Sequence, residues 1–119
     1  MNQNWTTTIE ELAAVLDRWR GADAQAMGYT TGHGVFILGL LPTDRSKFRC
    51  AYIQCVDCQV IQLYQTYWHR ADITVSVAPH RLGQLYTFTD PGHFHLVCHA
   101  AFATETDTPI NFHRKWSDL

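Results

Sequence analysis

The sequence is poor in lysine and in charged side chains generally. Only two of its 119 residues are lysines, Lys47 and Lys115, and charged residues make up 17% of the chain. Nucleic-acid binding normally depends on clustered cations that displace counterions from phosphate. With a formal net charge of -2 and no long basic stripe, the chain is not expected to bind nucleic acid.

Long apolar runs and leader-like segments are also missing. The longest apolar run, Val35–Leu41, is far shorter than the roughly 20 residues that a helix needs to span a bilayer. The first five residues have neither the basic leader nor the apolar centre of a signal peptide. We therefore expect a soluble, cytoplasmic protein with no membrane partner, whose four cysteines are reduced thiols.

Motifs that identify common enzyme classes are lacking. The glycine-rich segment 28–34 has no Walker-type Lys-Ser/Thr, and no Rossmann fingerprint or nucleophile elbow is present. Glutamate is scarce: Glu10 and Glu11 belong to the first predicted helix, and Glu105 follows the last predicted strand. The sequence therefore assigns no catalytic residue and no cofactor.

Apolar and aromatic residues are plentiful. They include four tryptophans, and hydrophobic residues make up 46% of the chain, enough for the core of a single domain over residues 1–119. The weakly charged surface favours burial in a homo-oligomer, most simply a dimer.

The N-terminal segment predicts an amphipathic helix over residues 8–20. Thr7 or Thr8 with the following glutamates can form a capping box, and Gly21 suits the C-terminal end. The apolar stripe of this helix is formed by Ile9, Leu12, Ala13, Leu16 and Trp19. Asp23 is predicted to cap a short second helix over residues 24–27.

The remainder predicts strands with one interrupting helix. Strands are expected at Val35–Leu41 and over residues 47–55, 73–78, 84–89 and 92–102. Residues 57–70 are ambiguous, because their composition favours a strand whereas their periodicity favours a helix capped by Asp57. We expect the helix, and a short terminal helix over residues 111–118.

These elements predict an α+β domain in the order α-β-β-α-β-β-β. Its mostly antiparallel sheet of about five strands would form a single layer packed by two helices. The segment from Leu16 to Met27, followed by the strand at Val35, loosely resembles NTF2/SnoaL-like proteins, in which helices and a curved sheet enclose a pocket. The same element order also resembles a roadblock-like sandwich, which would imply a dimerising scaffold.

The chemically richest stretch is the predicted strand over residues 92–102. Alternation places Phe94, Leu96, Cys98, Ala100 and Phe102 on one face, and His93, His95, Val97, His99 and Ala101 on the other. A tight turn centred between Pro91 and Gly92 would put Phe88 opposite His95 and Gln84 opposite His99.

That register predicts a ligand-binding face with apolar walls and polar tips, the combination that small-molecule pockets use. Its members are His93, His95, His99, Tyr86 and Phe88. A metal site is the weaker interpretation: His93 and His95 with the Cys55–Cys58 pair would give four ligands on paper, but one such pair is a poor signal. The sequence therefore assigns no metal.

Three functions remain open. The first is a non-enzymatic domain that binds a small, largely apolar molecule on this face, and the second is a homo-oligomer that uses it as an interface. The third is a small enzyme with His93 or His95 as general base, with or without metal, in which Asp90 could orient His93.

Overall fold

The computed structural model describes residues 4–32, 34–44, 49–108 and 110. One helix, α1 (Ile9–Arg18), precedes all the strands. The strands are β1 (Asp23–Thr30), β2 (Val35–Leu41), β3 (Cys50–Leu63), β4 (Tyr67–Trp68), β5 (Thr74–His80), β6 (Gly83–Asp90) and β7 (Phe94–Thr106).

The seven strands form one antiparallel sheet in the order β4-β1-β2-β3-β7-β6-β5, with α1 against one face. The antiparallel sheet and its N-terminal helix agree with the predicted class only roughly. The chain is mostly β, with seven strands where about five were predicted, and its described residues contain a single helix.

Helix α1 begins as its local sequence dictates. Thr8 Oγ1 accepts a hydrogen bond from the Glu11 backbone N–H at 3.1 Å, and the Glu11 carboxylate accepts one from the Thr7 backbone N–H at 3.2 Å. This capping arrangement confirms the predicted start. Gly21, at a φ of 88°, donates its N–H to Ala71 at 2.8 Å and turns the chain into the sheet.

The two other predicted helical segments within the described residues are wrong. Asp23, expected to cap a helix, instead begins β1, and Ala24 pairs with Leu40 on one side and Trp68 on the other. Within residues 57–70, the chain continues along β3 to Leu63 and then forms the two-residue β4. Asp57 takes a φ of 55° inside β3 and caps nothing helical.

Both family resemblances depended on the predicted order of helices and strands, which the structure changes. The predicted order required a helix between the second and third strands, and the structure places strand there instead. The predicted helix over residues 111–118 lies outside the described residues.

The sheet packs on both faces. The face toward α1 holds the larger core, in which Leu12, Leu16, Trp68, Phe88 and Leu96 are buried. The opposite face carries a smaller cluster of Val35, Ile37, Cys50 and Tyr52, with Trp5 and Ile110 packed against it. Residues 4–6 reach this region by hydrogen bonding to β7, with Thr6 N–H donating to the Ala103 carbonyl at 2.8 Å.

Irregularities in β3 change which residues of β7 face the core. The β3–β7 register shifts between Cys58 and Val60. Phe94, Leu96 and Cys98 share one face as predicted, and that face lies toward α1, but farther along the strand it is Ala101 and Ala103 that pack on this core. Phe102, predicted on the same face as Phe94, is 37% exposed. The alternation therefore inverts between Cys98 and Ala101.

The turn before β7 has the predicted residues but a different register. Asp90 accepts a hydrogen bond from the His93 N–H at 2.9 Å, and Gly92 has the φ of 82° that its turn position requires. The first ladder pair is Asp90 with Phe94, so three residues lie in the loop rather than two. This one-residue difference moves every side chain of β6 to the other face relative to the prediction.

No helix among the described residues is long and apolar enough to cross a membrane.

Candidate functional site

An open hollow of about 460 Å³ lies where the C-terminal end of α1 meets the start of β3 and the end of β7. Its volume falls within the range of small-ligand sites, about 300–1,000 Å³. It is lined by Arg18, Trp19, Arg20, Gly21, Ala22, Pro42, Thr43, Arg49 and Glu105. Among the described lining residues, three arginines and one carboxylate supply the charged groups.

Glu105 organises the wall of the hollow. Arg18 donates to both carboxylate oxygens, from Nε to Oε2 at 3.3 Å and from Nη2 to Oε1 at 2.5 Å. The Trp19 indole N–H donates to Oε2 at 2.8 Å. The Glu105 side chain is 21% exposed, so its charge is held at a partly desolvated position by fixed donors.

The other two arginines are held less tightly. Arg49 Nη2 lies 3.5 Å from Glu105 Oε2, its guanidinium carbon is 5.9 Å from the Trp19 ring centroid, and its side chain is 64% exposed. Arg20 pairs at the rim with Asp17 at 2.9 Å and Asp72 at 3.4 Å. Arg49 is thus the guanidinium best placed to turn toward a bound molecule.

Hydrogen bonds from Arg18 and then Trp19 lower the pKa of the Glu105 carboxyl, although partial burial acts in the opposite direction. The same ion pair raises the pKa of Arg18. Both groups are therefore charged throughout the neutral range.

Replacing Glu105 with glutamine should make the free energy of unfolding depend less on pH in the acid range. Because the folded pKa lies below the unfolded one, the carboxylate contributes stability that is complete above about pH 4.3 and is lost as the pH falls through the folded value. We expect the difference in unfolding free energy between wild type and Glu105→Gln to shrink as the pH falls below the ordinary glutamate pKa of about 4.3.

Urea denaturation at a series of pH values measures this difference. The control is Glu10→Gln, which removes a carboxyl at an exposed position in the first turn of α1. A difference between wild type and Glu105→Gln that stays constant across this range would contradict the role given to the carboxylate.

The predicted ligand-binding face is not assembled as expected. Phe88 is fully buried opposite Leu96, and Tyr86 lies opposite Cys98, so both belong to the face toward α1. The ladder neighbours of His95 are Thr89 and Gln62, and those of Val97 are Thr87 and Val60. Ligand binding by these histidines stays a prediction, but Tyr86 and Phe88 do not form the walls of such a site.

His95 and His99 do share the outer face, where each contacts polar neighbours. His95 Nδ1 is 3.3 Å from Thr89 Oγ1. His99 Nδ1 donates to the Gln84 carbonyl at 3.3 Å, which leaves its Nε2 to accept from the Gln59 amide at 2.7 Å. His99 therefore bridges β3 and β6, and neither histidine lines the hollow.

His93 sits apart, in the turn before β7. Its ring is parallel to that of Trp68, with centroids 5.8 Å apart and an interplanar angle of 2°. Asp90 does not orient this imidazole: its Oδ2 accepts instead from Trp68 Nε1 at 2.8 Å and the Asp72 N–H at 2.9 Å. The local Asp90–His93 pair predicted for a general base is therefore not formed.

A different aspartate–histidine pair was missed. His69 Nδ1 donates to Asp23 Oδ1 at 2.8 Å, and Tyr67 donates to Asp23 Oδ2 at 3.0 Å. The carboxylate is buried while the His69 side chain is 72% exposed. An imidazole oriented in this way can accept or donate a proton, but it does not line the hollow. Its sequence signal is only the Tyr-x-His spacing from Tyr67 in β4 to His69 just after it, because Asp23 is 46 residues away from His69.

The cysteines do not form the suggested metal site. Cys58 lies within β3 rather than in a first helical turn, and burial raises the pKa of its thiol to about 12 instead of favouring the thiolate. In the part of the chain that the structure describes, no group of three or more His, Cys, Asp or Glu side chains is arranged to hold a metal ion.

The fold is thus a seven-stranded antiparallel sheet covered by one helix, with an arginine-lined hollow at one corner. No protein-family model matches the chain, and neither a curated protein nor a solved structure is significantly similar to it.

Proposed function

We propose that the chain is a non-enzymatic binding domain for a small molecule bearing a carboxylate or phosphate group, and that the arginine-lined hollow is its site. The observation that carries the proposal is the exposed and loosely paired Arg49 guanidinium, which lines the hollow together with Arg18 and Arg20. This keeps one of the three functions left open by the sequence, a small-ligand-binding domain, but changes the site and the ligand chemistry.

The charges within the hollow favour an anion. Glu105 neutralises one of the two arginines beside it, and the Asp17 and Asp72 carboxylates accompany Arg20 at the rim. Among the described residues, the salt bridge of Arg49 is the one to Glu105, and its 3.5 Å is long for a charge-assisted hydrogen bond. An incoming oxyanion would supply the shorter contacts that its planar fork of N–H donors can make.

The surrounding contacts position the arginines for this role. Glu105 holds Arg18 through two hydrogen bonds, and Trp19 is itself held by its indole N–H. The Trp19 ring, 8% exposed, gives the Arg49 guanidinium a fixed surface at cation–π distance. Less side-chain freedom is then lost when an anion binds, which improves affinity.

Replacing Arg49 with alanine should weaken the binding of inorganic phosphate about tenfold, the loss of roughly 1.4 kcal/mol expected for one charge-assisted contact. Calorimetric titration at low ionic strength measures the dissociation constant, and a parallel titration with acetate separates a phosphate-bearing ligand from a carboxylate-bearing one. Arg49→Lys should give an intermediate value, because it keeps the charge but loses the forked geometry.

The matched control is Arg81→Ala, which removes the same charge at an exposed position in the β5–β6 turn. Equal weakening by Arg49→Ala and Arg81→Ala would mean that phosphate responds only to net charge. That result, or unchanged phosphate binding in Arg49→Ala, would overturn the proposal.

A further inference from the structure

Two of the cysteines, remote from the lining of the hollow, lie directly opposite each other in the β3–β7 ladder: Cys58 and Cys98. The Cys58 N–H donates to the Gly34 carbonyl at 3.0 Å, on the side of β3 away from β7. The pair lies next to the register shift between Cys58 and Val60. Opposed Cα atoms in antiparallel ladders are about 4.5–5.5 Å apart, with their side chains close together.

Both side chains belong to the face toward α1. Cys98 is fully buried in the main core, and Cys58 packs against the same core. Disulfides span Cα separations of about 4.4–6.8 Å, so the expected spacing of this pair is suitable without backbone movement. In the structure all four cysteines are free thiols.

Access differs between the two thiols. Cys58 is partly exposed, whereas Cys98 has no exposed surface. An oxidant from solvent therefore meets Cys58 first, with Cys98 behind it as the resolving thiol. From this geometry we propose that Cys58 and Cys98 form an oxidation site at which hydrogen peroxide produces a cross-strand disulfide.

The reaction proceeds in two balanced steps. The Cys58 sulfur attacks one peroxide oxygen, the O–O bond breaks, and Cys58 becomes a sulfenic acid as one water leaves. The Cys98 sulfur then attacks the Cys58 sulfur, the S–O bond breaks, and the second water leaves with the Cys98 proton. Two thiols and one peroxide thus give one disulfide and two waters; the sulfurs are oxidised and the peroxide is reduced.

The local environment makes the oxidation of Cys58 slow. Burial raises the pKa of the Cys58 thiol to about 12, so the nucleophilic thiolate is scarce at neutral pH. The site responds to sustained oxidant, and its oxidation accelerates as the pH rises.

The other two cysteines provide matched controls. Cys55 is hydrogen bonded to Cys98 and completely buried, but its ladder partner is Ala101. Cys50 lies in the smaller core on the opposite face. Neither is therefore placed as the cross-strand partner of Cys58.

The test exposes the full chain to hydrogen peroxide at mildly alkaline pH, blocks the remaining thiols, and maps the products by peptide mass spectrometry. We expect wild type, Cys55→Ala and Cys50→Ala to lose the mass of two hydrogen atoms in a peptide pair joining Cys58 to Cys98. Their melting temperature should rise by roughly 10 °C and return on reduction, because the cross-link restricts the unfolded chain. Cys58→Ala and Cys98→Ala should form no disulfide.

Mapping in wild type keeps the proposal testable even if the Cys98 variant does not fold. A disulfide that joins Cys55 to either thiol, or peroxide that adds only oxygen to Cys58, would overturn the assignment.

Discussion

Replacing Trp68 with alanine is expected to lower the free energy of unfolding by about 3–5 kcal/mol. Trp68 is 2% exposed, stacks on His93 and contacts the Phe94 ring at a centroid distance of 5.8 Å. It is also one of the two residues of β4, so its loss removes both a core side chain and the anchor of an edge strand. Equilibrium urea denaturation measures the change.

Two variants separate the contributions of Trp68. Trp68→Phe keeps most of the apolar volume but loses the indole N–H that donates to Asp90, so its loss should be clearly smaller than that of the alanine variant. Tyr64→Ala removes an aromatic side chain that is 70% exposed and should change stability by no more than about 0.5 kcal/mol. A Trp68→Ala loss as small as that of Tyr64→Ala would be inconsistent with the core described above.

Replacing Asp90 with alanine should cost about 3 kcal/mol. Its Oδ2 accepts from both the Trp68 indole and the Asp72 backbone N–H, and the residue is 4% exposed. Without the carboxylate both donors lose their acceptor; the unsatisfied buried indole N–H costs about 1–3 kcal/mol, and the partly buried Asp72 N–H adds to this loss. Urea denaturation again gives the value, with Asp107→Ala as an exposed control for the lost charge.

A double-mutant cycle identifies the bond itself. Because Trp68 and Asp90 share one hydrogen bond, the losses of Trp68→Phe and Asp90→Ala should sum to more than the loss of the double variant. Strict additivity would show that the two residues stabilise the fold independently, contrary to the structure.

Both buried aspartates hold the same short segment. Asp23 accepts from Tyr67 and His69, while Asp90 accepts from Trp68 and the Asp72 backbone. Because β4 pairs with β1 through two residue pairs, these side-chain bonds add to its backbone attachment. The aspartate–histidine pair therefore has a structural role that does not depend on catalysis.

The parts of the fold predicted correctly depend on short-range signals. The capping residues Thr8 and Glu11 are three positions apart, and β2 is a continuous apolar run buried in the sheet. The turn at Pro91 and Gly92 likewise follows from local backbone preferences. Each of these features is specified by neighbours in sequence, so the sequence alone was sufficient.

The segment after Asp57 was predicted wrongly because its pattern is set by distant pairing. Register shifts and a positive φ in β3 break the simple alternation of a strand, and the remaining spacing imitates a helix. Pairing with β7 at five positions between Cys58 and Leu63 decides in favour of strand. The β-branched and aromatic composition was the correct signal.

The predicted ligand-binding face also differs from the one in the structure for a related reason. A single extra loop residue at His93 separates Phe88 from His95, and periodicity cannot reveal such a shift. Glu105 was noted only as a carboxylate near the end of the last strand. Its contacts with Arg18 and Arg49 join residues 87 and 56 positions apart, which no local pattern indicates.

The most direct test of anion binding in the hollow is a titration of isotope-labelled protein with inorganic phosphate, followed by heteronuclear NMR. We expect saturable shifts of the Trp19 indole N–H and of the backbone amides of Arg18, Gly21 and Arg49, with the His95 and His99 amides unchanged. Saturable shifts confined to the histidine face, or no saturable shift at any residue lining the hollow, would contradict the account.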